Sequence, residues 1–104
     1  MPPSAERARL DALVEEATVD AYGEHEQLAA FQSVIEEHLA VPFQTQVLGV
    51  EVTVLKVDWR SGSGIVAICK RGKERQAIGI LDLPLPDPRP AGAEWLDAFR
   101  HWGA

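Results

Sequence analysis

The feature that most constrains this chain is a change of period at Pro42. Apolar residues recur every three or four positions as far as Leu39, and every second position beyond Pro42. The first spacing loads one face of a helix and the second one face of a strand, so the chain reads as α+β, helices first and sheet after. Leu10, Leu13, Val14, Ala17 and Ala21 predict a helix over about Ala5 to Ala21, with Ser4 as its N-cap and Glu6 in the first turn. Gly23 suits the left-handed position that ends such a helix, and Glu24 and Glu26 follow where the dipole of a new helix favours carboxylates. Leu28, Phe31, Ile35 and Leu39 give that second helix its stripe. Residues 1–40 thus form a helical hairpin cornered at AYGEHE, and Pro42 takes the chain out of it.

Residues 43–83 carry the sheet. Val50, Val52 and Val54 alternate with polar residues, but Leu55, Val57 and Trp59 continue on the opposite parity. A bulge near Val54 and Leu55 reconciles the two phases, as at a barrel corner. SGSG at 61–64 is a turn, Ile65 to Cys69 is apolar on both faces, and KRGKER is a charged hairpin tip before Gln76 to Leu81 returns. The expected architecture is a small antiparallel SH3-like partial barrel with the helical hairpin packed on its open side, all in a single domain spanning 1–104. Prolines at 84, 86, 88 and 90 make 84–92 an extended arm. Trp95, Leu96, Phe99 and Trp102 then lie on a terminal helix, 93–102, whose apolar face is expected to dock on the core. The competing expectation leaves the tryptophans exposed as a partner-binding face.

Charge narrows the function classes. Residues 1–40 carry nine Asp/Glu against two Arg, whereas residues 41–104 carry seven acids and eight bases. An acidic first segment repels nucleic-acid phosphate and attracts cations or basic partners. The single Cys69 cannot form an internal disulfide or a C-x-x-C pair, which fits a reducing compartment. MPPSAERARLDALVEE has no apolar signal core and no window approaches the ~20 apolar residues of a membrane span. A cytoplasmic protein without a membrane partner is the expectation.

The stretch DAYGEHEQLAAFQSVIEEHLAVPFQTQVLGVEVTV, followed by VAICKRG and ILDLPL, resembles the small acidic calcium-binding family of cyanobacterial type, associated with heterocyst development. The similarity covers roughly residues 20–85. It implies a calcium-binding or calcium-buffering protein without enzymatic chemistry.

Calcium needs several oxygen ligands, and the D-x-[DN]-x-[DN]-G loop that supplies them from one segment is absent. The substitute is the hairpin corner, where Asp20, Glu24 and Glu26 are the candidate ligands, with Glu36 and Glu37 as a second cluster. Ten helical residues separate Glu26 from Glu36 by ~15 Å, so the clusters do not share an ion without further ligands. Each acid also has an ordinary reading: Glu24 and Glu26 stabilise a helix start by about 0.3–1 kcal/mol each without any metal. Glu36 and Glu37, near a helix end that disfavours negative charge, are the greater anomaly. His25 and His38 lie ~20 Å apart along one helix, too far for one zinc ion. No G-x-S-x-G elbow supports a hydrolase. Arg60, Lys70, Arg71, Lys73 and Arg75 form a basic group that reads as solvated hairpin charge ahead of a nucleic-acid surface. The rival to calcium binding is a protein interaction module built on the proline-rich arm and the tryptophan helix.

Overall fold

The computed structural model describes residues 3–103, with side chains from residue 5 onward. It is α+β. Two helices, α1 (Pro3–Ala17) and α2 (Glu24–His38), precede four strands, β1 (Phe43–Val47), β2 (Val50–Arg60), β3 (Gly64–Arg71) and β4 (Glu74–Gly79). A 3-10 turn (Ile80–Asp82) and the arm lead to α3 (Glu94–Gly103). The strands pair antiparallel in chain order, β1-β2-β3-β4, an open meander with β1 and β4 as its edges. No helix among the described residues is long and apolar enough to cross a membrane.

The change of parity in β2 has the cause read from the sequence. Val54 pairs with Cys69 and Lys56 with Ile68, so Leu55 is the extra residue of a bulge. Val54 and Val57 therefore reach the same buried cluster despite their odd spacing. β3 is buried from Ile65 to Cys69, as a central strand should be.

Phe31 is the centre of the core. It is fully buried on α2, and its ring lies 5.3 Å from Phe99 and 5.4 Å from Trp102, centroid to centroid. Trp95, Leu96 and Ala98 of α3 are buried in the same cluster as Ile35, Leu39, Val54 and Ala67. The terminal helix is docked: Trp95 is a core residue, and half-buried Trp102 packs against the core. Gly92 makes that docking possible. With φ 90, it lies so close to the end of α2 that a Cβ there would stand 2.1 Å from the His38 carbonyl oxygen. The Ala40 N–H donates to the Ala91 carbonyl at 2.8 Å beside it. His38 stacks on Trp95 at 5.5 Å.

Four local expectations need correction. α1 ends at Ala17, four residues early: the Thr18 N–H makes the last helical bond, to the Val14 carbonyl at 3.0 Å, where its hydroxyl also donates at 2.8 Å, and the chain then tightens into a turn in which the Ala21 N–H donates to the Thr18 carbonyl at 3.0 Å. Gly23 has the positive φ expected, 94, but as the N-cap of α2 and not the end of α1. The two helices are not simply each other's partners, since α1 packs chiefly on α3 and is tied to it by Asp11 Oδ1 and His101 Nε2 at 2.7 Å. α3 brings the larger aromatic surface, so it wins the contact. Ser4 falls inside the first turn of α1, and its capping side chain lies outside the described residues.

Strand β1 and its two-residue link to β2 escaped the periodicity. Leu48 and Gly49 both have positive φ, 51 and 78, as a type I′ hairpin turn requires. The usual Asn-Gly signature is hidden because a leucine holds the first position.

Candidate functional site

The α1–α2 corner is built by the early end of α1 and by glycine at the start of α2. Gly23, at φ 94 and ψ 160, occupies a region closed to other residues, and it offers no side chain to cap the helix. Glu26 reaches back from inside the helix to the residue before the N-cap. Its Oε2 accepts from the Tyr22 N–H at 2.7 Å, the returning half of a capping box displaced by one residue. The corner is therefore held shut by one of the acids singled out as a metal ligand.

Asp20 and Glu26 line one open hollow of about 420 Å³, together with Ala17, Val19, Ala29 and Ser33. Glu24 is exposed on the first turn of α2 and is not part of that lining. Glu36 and Glu37 are exposed at the other end of α2, and Glu36 accepts from Gln32 Nε2 at 2.8 Å. The structure thus brings together two of the five acids. Among the described residues, no three His, Cys, Asp or Glu side chains converge on a point that would hold an ion. Two carboxylates on an open hollow fit a hydrated divalent cation that keeps most of its waters, and fall short of an enclosed cage.

The other chemically suggestive residues are engaged in packing. His101 is paired with Asp11, His38 is stacked on Trp95, and Trp102 Nε1 donates to Gln27 Oε1 at 3.0 Å. Arg89 grips Asp97 through two hydrogen bonds of 3.0 and 2.7 Å, which clamps the arm to α3 and raises the guanidinium pKa further. The hydrogen bond from Arg9 draws the Glu6 carboxyl below its usual range. Burial pushes the Cys69 thiol up, so it is a poor nucleophile in the folded chain.

Two surfaces remain open. A groove of about 520 Å³ runs between β1 and the arm, lined by Gln44, Thr45, Gln46, Glu51 and Pro84 to Pro86. Thr45 fixes its width by donating to the Pro84 carbonyl at 2.7 Å. A bay of about 290 Å³ lies at the hairpin-tip end of the sheet, where Val47, Leu48, Val50, Val52 and Ile78 meet Lys70, Arg71 and Arg75. The sequence marks the basic residues there and reads Val50, Val52 and Ile78 as strand positions, but its periodicity does not show the hairpin that brings Val47 and Leu48 beside them. Comparison of the chain with protein-family models, with curated proteins and with solved structures finds no match.

Proposed function

We propose that this is a non-enzymatic calcium-binding protein whose ion is held at the α1–α2 corner by Asp20 and Glu26. The observation that carries the reading is that these two carboxylates line one hollow, on a segment with no Lys or Arg between Arg9 and Lys56. The acidic field of that segment draws cations toward the corner, and Glu26, oriented by the Tyr22 N–H, presents its carboxylate without a search through rotamers. Few protein ligands and an open site place the dissociation constant on the order of 10⁻⁴–10⁻³ M, the weak end of calcium sites. Glu24 acts at longer range, by charge. Glu36 and Glu37 would hold at most a second, separate ion. In this reading the bent meander is an SH3-like partial barrel that supports the corner, and the protein works in the cytoplasm as a buffer or sensor.

A calorimetric titration with calcium, and with magnesium as control, tests this directly. Saturable heat with calcium at millimolar concentration is the expected result, and its absence removes the reading. A second reading, a protein interaction module, is favoured by the groove between β1 and the arm, where an edge strand borders Pro84 to Pro86. The tryptophan helix has no part in that version, because Trp95 is buried. Loss of partner capture on Pro84→Ala and Pro86→Ala, with no calcium heat in the parent, would put it first.

A further inference from the structure

The two ends of β2 differ in charge and share one feature, exposed apolar side chains. At one end α2 begins: His25, Leu28 and Gln32 lie around Trp59. That corner exposes Val19 and Tyr22, at 69% and 80%, beside Asp20, Glu24 and Glu26. At the other end are the β1–β2 and β3–β4 hairpin tips, with Leu48 98% exposed above the apolar bay. Its charged lining is Lys70, Arg71 and Arg75 against Glu74, and Lys73 stands at the tip. At ~3.3 Å per residue, β2 holds the two ends about 30 Å apart.

Two observations mark the bay as more than a solvated tip. Leu48 takes a left-handed conformation, φ 51, that is unfavourable for a leucine, and it does so with its side chain in water. Lys70 stands directly opposite Arg75 in the β3–β4 register, a like-charge pair that works against the hairpin until a negative group approaches. An apolar surface bearing carboxylates covers the exposed Leu48 side chain and offsets the like-charge pair, while the left-handed backbone belongs to the turn that holds Leu48 outward. The acidic corner of a second copy of this chain is such a surface, and it is on the same molecule.

We propose that the chain self-associates, the acidic, Tyr22-bearing corner of one copy docking on the basic, Leu48-bearing bay of another. Because the two surfaces lie at opposite ends, two copies laid antiparallel make the contact twice and close as a two-fold dimer. Charge complementarity selects this arrangement over the parallel one, in which like ends meet. The proposal stands independently of calcium, so it is tested with chelator present.

The experiment is sedimentation equilibrium of the full chain at ~100 μM, in ~20 mM and then ~500 mM salt, where the screening length falls to a few ångströms. A dimer at low salt that dissociates at high salt is expected. A monomer at both overturns the proposal. Lys70→Glu with Arg75→Glu gives one variant, and Asp20→Lys with Glu24→Lys another; Glu26 is kept because it holds the Tyr22 N–H. Each variant alone should be monomeric, and an equimolar mixture should recover the dimer, since the altered corner meets the altered bay. Failure of the mixture to pair, with both variants folded by circular dichroism, counts against it. Leu48→Asn, which suits the left-handed turn, should weaken association at least tenfold without loss of fold; unchanged association would contradict the role given to Leu48. If wild-type chain remains monomeric and instead sediments with anionic phospholipid vesicles, the bay serves a lipid surface and the self-association is refuted.

Discussion

Both ends of α2 are glycine-cornered junctions carrying histidine and carboxylates, and the protein uses them in opposite ways. At the C-terminal end, Gly92 brings the arm against the His38 carbonyl, His38 stacks on Trp95, and α3 seals the joint. At the N-terminal end, Gly23 has open space around it and Asp20, Tyr22, Glu24 and Glu26 stay exposed. Glu36, Glu37 and His38 stay exposed at the aromatic end too, so the two ends differ in how tightly the backbone junction is packed and not in whether their polar side chains reach water.

The comparison breaks most severely if α3 is removed. Truncation after Pro90 takes away Trp95 and Leu96, each worth about 1.5–3 kcal/mol when fully buried, and half-buried Phe99 and Trp102 besides. Against a total of about 5–15 kcal/mol, this should abolish the cooperative thermal transition. A truncated chain that melts like the parent would show that the sealed end is not sealed.

The next effect sharpens the contrast between the two glycines. Gly92→Ala should cost about 3 kcal/mol in denaturant unfolding, since positive φ and a backbone clash act together. Gly23→Ala meets no neighbour and should cost only the conformational strain, about 1–3 kcal/mol. Equal losses would mean that the close approach at Gly92 is not what holds the arm.

At the open end, stability and binding should separate. Asp20→Asn, Glu24→Gln and Glu26→Gln together should change stability by about 1 kcal/mol, mostly through the hydrogen bond at the Tyr22 N–H, yet remove most of the calcium heat. Glu36→Gln with Glu37→Gln should leave that heat nearly intact. If the second pair of changes removes binding and the first does not, the ion belongs at the other end of the helix.

The smallest effect concerns the thiol buried beneath the sheet. Because burial raises its pKa, Cys69 stays protonated in the folded chain after the unfolded thiol has begun to ionise at ~8.5. Its contribution to stability is complete below that pH and is lost as pH climbs toward the raised value. Reaction with a disulfide reagent at pH 8 should accordingly follow the rate of unfolding. Rapid labelling of the folded chain would show that the core opens at β3.

Much of the fold was legible because it depends on local periodicity. The stripe of Phe31, Ile35 and Leu39, the reversal of parity at Val54 and Leu55, and the two-faced apolar run of β3 each follow from how a helix or strand presents its side chains. Where chemistry competes with periodicity, sequence fell short. The apolar spacing of α1 runs on through the turn at 18–21 that ends it, and the turn at Leu48 was concealed by a residue ill suited to its own backbone angle. Of the site, the charge was legible in the sequence: nine acids before residue 41 make a net negative segment however the chain folds. Which acids meet was left to tertiary structure, because convergence depends on where helices end and what packs between them. Asp20 and Glu26 share a hollow since α1 stops at Ala17, and Glu36 and Glu37 do not join them since fifteen residues of α2 form one rigid rod. The same physics settled the tryptophans. Their spacing announced an apolar face that docks on the core, and the close approach of Gly92 to His38 shows how the arm lets it reach there.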